Sequence, residues 1–196
     1  MTKLVLFSIV CLIPSIFSFP APKSYVYDNF PFVSREEWGA RPPTSVINLN
    51  LPVPYVIIHH TYIPGACFSV EQCSASMRAM QNNHQLTQQW EDIGYNFAVG
   101  SDGVVYEGRG WEAVGAHAFG YNSRSIGIAL IGDWVSVLPP AIQMETTKRL
   151  IEEGLRLGYI SENYDLIGHR QVRNTDCPGQ ALFEEITTWD RFQPNV

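Results

Sequence analysis

The chain has no dense run of lysine or arginine, and its 196 residues carry a formal net charge of -6. Duplex nucleic acid is held through a basic face, so a nucleic-acid partner is not expected. Compact metal signatures are missing as well, with no CxxC pair and no HExxH stretch. The GRG at 108–110 lacks the lysine of a phosphate loop and the length of a dinucleotide fingerprint, which excludes both kinds of nucleotide site. Glu36, Glu37, Glu107 and Glu112 fall in no common helix or strand phase, so the facing carboxylates of a glycoside hydrolase are not found. There is no internal repeat, no low-complexity tract and no cationic amphipathic face for disrupting membranes. Beyond the opening segment, no apolar stretch is long enough to anchor the chain in a bilayer.

What is present points to one packed domain. Hydrophobic residues make up 45% and charged ones 16%, which supports a core rather than a disordered chain. At the start, Lys3 precedes the apolar run LVLFSIVCLI, followed by Pro14 and Ser15. This reads as a signal peptide over 1–18, with cleavage after Ser18 or as late as Ala21, and hence as a secreted protein. A flexible arm bearing Pro20, Pro22 and Pro31 is expected over 19–32, and a single domain over 33–196. The expected state is a monomer without a transmembrane anchor.

Cysteine usage sharpens this picture. Cys11 lies in the leader, which leaves Cys67, Cys73 and Cys177. Cys67 and Cys73 flank a short segment and fit a local disulfide in an oxidising compartment. Cys177 is then unpaired, and an odd cysteine in a secreted chain needs an explanation. Metal ligation is the favoured one.

The order of elements predicts an α/β fold, with a central mixed β-sheet flanked by helices. PYVIIHH reads as a strand covered on both faces, with two histidines at its carboxyl end. Residues 69–89 have helical spacing, with Ser69 and Gln72 as a capping pair and Cys73, Met77, Met80 and His84 on one side. IGYNFAVG and VVYEG form a hairpin about the Ser101-Asp102-Gly103 turn. SIGIALIG is a further strand, residues 140–157 a helix stopped by Gly158, and YDLIGH a short strand. A last helix is expected from Pro178 to about Trp189.

His59 and His169 each end a strand, and Cys177 follows in a loop closed by Pro178-Gly179. Two imidazoles and one thiolate make a zinc set that leaves the fourth position to water, as in catalytic sites. Other readings of the same residues stay open. Either histidine can be a hydrogen-bonded residue at a sheet edge, and Cys177 a buried thiol. Cys177 and His169 can also form a nucleophilic pair, with Asp165 or Asp176 to orient it.

Five stretches in order, REEWGAR at 35–41, VIIHHT at 56–61, DIGYNFAVGSDGVVYEGRGW at 92–111, GAHAFGYNSRSIGIALIG at 115–132 and GHRQVRNTDCPG at 168–179, resemble the peptidoglycan recognition proteins, relatives of the type-2 amidases. The resemblance runs from about Val33 to Trp189. It implies zinc bound by His59, His169 and Cys177, catalytic roles for Tyr95 and Thr175, and a disulfide between Cys67 and Cys73. It further implies an N-acetylmuramoyl-L-alanine amidase that binds and cuts bacterial peptidoglycan and muropeptides in innate immunity. Members without the cysteine ligand bind without cutting, so a non-catalytic recogniser that triggers signalling is the alternative. By the same resemblance Arg109, Trp111, His117, Tyr121 and Asn122 line the substrate groove, and Arg124 reads the extra carboxylate of diaminopimelate. Trp90 is a further wall of the groove or a core residue. His60, pointing away from His59 on an extended strand, supports the ligand or packs in the core, and is counted with the substrate-facing residues.

Overall fold

The computed structural model describes residues 27–196, so the expected leader and the first part of the arm lie outside the described residues. Six strands form one sheet in the order β1-β4-β3-β5-β2-β6. They are β1 (Phe32–Val33), β2 (Val53–His60), β3 (Phe97–Val99), β4 (Val105–Glu107), β5 (Ser125–Leu130) and β6 (Ile160–Gly168). Only the β3–β4 hairpin is antiparallel, so the sheet is mixed. The helices are α1 (Arg35–Trp38), α2 (Val70–Asn82), α3 (Ala141–Arg156) and α4 (Gln180–Ile186). No helix among the described residues is long and apolar enough to cross a membrane.

The apolar runs of β2 and β5 are buried on both faces, as parallel strands in a covered sheet must be. On one face Val56, Ile58, Ile126, Ile128 and Leu130 pack against Leu150 and Ile151 of α3 and Leu182 and Ile186 of α4. On the other, Ala98, Tyr106 and Ala129 meet Trp38 of α1 and Cys73, Met77 and Met80 of α2. Because Ala98 pairs with Ala129 and Ala129 with His59, His59 shares this second face with Ile57 and Tyr55. There Ile57 and Ile167 are packed by Ala118, Tyr55 and Tyr121. The functional side chains therefore emerge beside α2, on the face opposite α3.

Three expectations change at their edges. The helix over 69–89 stops at Asn82 and continues as a π-helical turn, Asn83–Thr87. The final helix begins at Gln180, not at Pro178, because Gly179 caps it with φ at 94°, a conformation that side-chain-bearing residues avoid. The described part of the arm is held in place rather than loose. Tyr27 stacks on Phe30 at 5.0 Å between ring centres, the Trp111 indole N–H donates to the Tyr27 hydroxyl at 3.0 Å, and β1 runs parallel to β4. Pro31 sits just before this edge strand, where no donor is required, and its carbonyl accepts from the Val105 amide at 2.9 Å.

Cys67 and Cys73 are joined in a disulfide that ties the loop before α2 to its first turn. Its loop is short, so the chain-entropy gain is about 2 kcal/mol. Replacing both cysteines by alanine should lower the melting temperature by roughly 4–8 °C. Scanning calorimetry checks this, and zinc content should stay unchanged.

Candidate metal centre

The pairing of β2 with β6 sets two of the ligands. Ile57 lies opposite Ile167 and Ile58 opposite Gly168, so the next residues, His59 and His169, stand side by side. Their rings lie 4.4 Å apart. Cys177 is delivered by a loop fastened at several points. The Arg170 amide donates to the Cys177 carbonyl at 2.8 Å, and its guanidinium donates to the Asp176 carbonyl at 2.5 Å and to Gln180 Oε1 at 2.6 Å. Gly179 closes the loop, and a Cβ there would collide with the Trp134 carbonyl. Cys177 Sγ consequently lies 3.7 Å from His59 Nδ1 and accepts from the His60 amide at 3.4 Å.

One ligand atom from each of His59, His169 and Cys177 lies within 4.8 Å of the others. Zinc bond lengths and a tetrahedral angle place nitrogen and sulfur donors roughly 3.4–3.6 Å apart. The cluster fits such an ion, and its two nitrogens and one sulfur leave a coordination position for water or substrate. Burial, then His117 and His169, hold His59 well below the ordinary histidine range. Burial, with Arg173 and His60 adding to it, lowers His169 to about 4. Both imidazoles are therefore neutral at pH 7, the form that ligates. Burial pushes the Cys177 thiol up to about 12, against the opposing pull of the His60 amide and Arg170. A thiolate at this position needs a cation beside it.

A cavity of about 650 Å³ opens over the cluster, lined by His60, Thr61, Tyr62, Tyr95, Asp133, His169, Thr175 and Cys177 among others. The Tyr95 ring lies 5.3 Å from that of His59. Burial, then the neighbouring Cys177, raises its hydroxyl above the usual range, so it remains a donor. Thr175 Oγ1 accepts from the Cys177 amide at 3.2 Å, leaving its own proton to give. His60 points to the other side of β2, where its Nδ1 accepts from the Trp134 amide at 3.3 Å. Among the described residues no carboxylate hydrogen-bonds to His59 or His169, so a cysteine–histidine nucleophile lacks its orienting group.

The remaining predicted residues divide. Tyr121 and Arg124 lie on the same face as His59: the Arg124 guanidinium stacks 4.3 Å from the Tyr121 ring and 5.2 Å from that of Tyr55. Asn122 works through the backbone, its Oδ1 accepting from the amides of His117 and Ala118. His117 is buried, with Nδ1 3.0 Å from His59 Nε2. Three expectations need correction, the first being His117, which faces His59 in the interior and not the groove. Trp111 is sealed in the core on the α3 side, stacked on Tyr159, where substrate does not reach. The Arg109 guanidinium is spent on the carbonyls of Ile93 and Val114, at 2.6 and 2.8 Å, and braces a loop.

One residue was missed. His84 stacks on the half-exposed Trp90 at 4.7 Å and lines a second cavity of about 310 Å³ that shares Thr61 and Tyr95 with the first. Its helical phase assigned it to the core with Met77 and Met80. The π-helical turn, a feature frequent at functional sites, shifts that phase. Its Nδ1 accepts from the Gly94 amide at 3.0 Å, which leaves Nε2 as the donor.

Fold and ligand set together define a hydrolase-type metal centre at the strand ends of an α/β sheet. The chain belongs to the N-acetylmuramoyl-L-alanine amidase family, whose model matches residues 49–180, and within it to the peptidoglycan recognition proteins. It is 53% identical over 160 residues to peptidoglycan-recognition protein LB of Drosophila melanogaster, covering 82% of this chain and 69% of that one. The solved structure of the wild-type Drosophila protein superposes with a TM-score of 0.82 at 52% identity, covering 83% of this chain and 95% of that chain. The human N-acetylmuramoyl-L-alanine amidase is 46% identical over 165 residues, covering 83% of this chain but 29% of the human protein. Peptidoglycan recognition protein LE, solved in complex with tracheal cytotoxin, a monomeric diaminopimelic acid-type peptidoglycan, gives a TM-score of 0.81 at 42% identity, covering 83% of this chain and 95% of that chain.

Metal uptake should depend on pH with a definite sign. At pH 6 the metal-free centre has neutral imidazoles and a protonated thiol, so binding zinc displaces the Cys177 proton. Protons thus compete, and affinity should fall about tenfold per unit as pH drops from 7 to 5. Titration calorimetry in buffers of different ionisation enthalpy reads the released proton. Cys177→Ser should lose most of its zinc, as measured by metal analysis.

Proposed function

We infer that the protein is a secreted zinc-dependent N-acetylmuramoyl-L-alanine amidase that binds bacterial peptidoglycan and cuts the bond between muramic acid and the stem peptide. The observation that carries this is the complete ligand set, His59, His169 and Cys177, gathered under an open cavity. A recogniser that binds without cutting has no use for a buried thiol placed 3.7 Å from an imidazole. The leader over 1–18 and the domain over 33–196 complete the reading, and the Cys67–Cys73 disulfide supports an oxidising, extracellular setting.

His59, His169 and Cys177 would hold the zinc, which when bound supplies the Lewis acidity that polarises a carbonyl and makes water nucleophilic near neutral pH. The chain's own groups do the rest. Tyr95 offers a protonated hydroxyl at the cavity wall, able to donate to an oxyanion as the lactyl carbonyl becomes tetrahedral. Thr175, fixed by the Cys177 amide, turns its hydroxyl toward the same space and orients water or the intermediate. His60, His84 and Trp90 form walls along which the glycan and the first stem residues lie.

The strand itself acts as a ruler for the stem. Tyr55 is four residues before His59 on the same face, about 13 Å away along β2. A stem reaching from the scissile bond to its third residue spans about 10 Å or more. This spacing supports a third side chain lying near Arg124, whose guanidinium plane is held by the Tyr55 and Tyr121 rings and whose edge makes no hydrogen bond or ion pair among the described residues. An edge of this kind suits the extra carboxylate of diaminopimelate, and the LE complex supports the same substrate class.

Turbidity loss of purified diaminopimelate-type peptidoglycan, abolished by a chelator and restored by zinc, is the expected behaviour; binding without loss of turbidity would favour the recogniser. Tyr95→Phe should lower kcat about 10²-fold while zinc content and peptidoglycan binding hold, and a change within about twofold would make Tyr95 a packing residue. Arg124→Ala should cut kcat/KM on diaminopimelate muropeptides by about tenfold, the low end for an exposed pair, and leave lysine-type substrates nearly unchanged.

A further inference from the structure

The family's zinc set stops at three residues, but the structure continues it inward. His59 uses Nδ1 toward the cluster, since that atom faces Cys177 Sγ at 3.7 Å. Its other nitrogen, Nε2, must then carry the proton, and it lies 3.0 Å from Nδ1 of His117. The two rings meet edge to face, 84° apart. His117 Nδ1 can therefore only accept, and its own proton belongs on Nε2. That atom is 3.5 Å from Ser125 Oγ, whose hydroxyl is already donated to the Tyr121 carbonyl at 2.8 Å. With His59 Nδ1 given to the metal, every link runs in one direction, from His59 to His117 to Ser125 to the backbone of Tyr121.

A second observation is steric. The His117 ring lies in a slot between two glycines. A Cβ on Gly127, in the middle of β5, would come within 2.5 Å of the ring, and one on Gly115 would also collide with it. Glycine inside a strand interior weakens it and marks a close approach; here what approaches is this imidazole. Asn122 fixes the other side by accepting from the His117 amide at 2.9 Å.

We propose that His117 is a positioning residue of the metal centre: by accepting a hydrogen bond from His59 Nε2 it fixes the tautomer and ring angle that present His59 Nδ1 to zinc. Metal-bound histidines are commonly held in this way by a carboxylate or carbonyl, and loss of the partner weakens metal binding about 10- to 100-fold. In this chain a second, neutral imidazole fills that place. Its partner Ser125 ties the chain to the Tyr121–Arg124 segment, so the residues that hold the stem and the residues that hold the metal share one hydrogen-bond chain.

The inference rests on the zinc reading, and the test separates the two. Zinc affinity is measured by chelator competition on the wild type, His117→Leu, His117→Asn and Gly127→Ala, with circular dichroism to establish folding. The wild type should bind one zinc per chain; no binding would remove both the reading and the inference. His117→Leu should lose about 10- to 100-fold in affinity. His117→Asn, whose Oδ1 can replace Nδ1 as acceptor, should recover most of it, and Gly127→Ala should lose affinity without touching a ligand. Wild-type-like affinity in His117→Leu, or equal loss in His117→Leu and His117→Asn, would overturn the proposal while leaving the zinc site intact. A residue that merely touched substrate would raise KM and leave zinc affinity alone. If His117→Leu does not fold, nitrogen-15 NMR of the zinc-loaded wild type decides: His59 protonated at Nε2 supports the proposal, and His59 ligating through Nε2 overturns it.

Discussion

His59 and His169 come from distant parts of the chain, yet their rings lie 4.4 Å apart. The parallel pairing of β2 with β6 is what brings them there, and the rest of the site is built on that register. A one-residue slip would send His59 to the opposite face, toward α3. The slip is prevented by burial: Val56 and Ile58 on one side and Ile57 on the other have no exposure at all. The hydrophobic core thus specifies the metal geometry through the register of the strands.

The same burial makes the centre incomplete without a cation. Two neutral imidazoles and a thiol held at about 12 are comfortable in an apolar surrounding only while none of them carries charge. The loop that brings Cys177 is fastened by Arg170 and by Gly179, so the sulfur is positioned by the fold itself. Preorganisation of this kind lowers the cost of assembling a ligand set on binding.

Sequence and structure agree where the signal was local. Apolar runs ending in histidine located β2 and β6, the Asp102-Gly103 turn located the hairpin, and an odd cysteine pointed to a metal ligand before any family was considered. They part where long-range packing decides. Trp111 follows a glycine-broken stretch that looks exposed, but its indole crosses to the α3 face and reaches Tyr27 and Tyr159. Arg109 looks free until the carbonyls of Ile93 and Val114 are folded onto it. His84 follows a helical phase that a π-helical turn alters. His117 lies in a segment that resembles a groove wall, and its depth depends on Gly127, on a strand that the segment only later becomes part of.

The central claim is hydrolysis of one particular amide at this centre. Mass spectrometry of the products from a defined diaminopimelate muropeptide tests it most directly. Zinc-loaded protein should form two products by addition of one water, a stem peptide with a free L-alanine amine and a sugar whose lactyl group now ends in a free carboxylate, and metal-free protein should form neither. Recovery of intact muropeptide from a tight complex, or cleavage within the glycan or between stem residues, would contradict it.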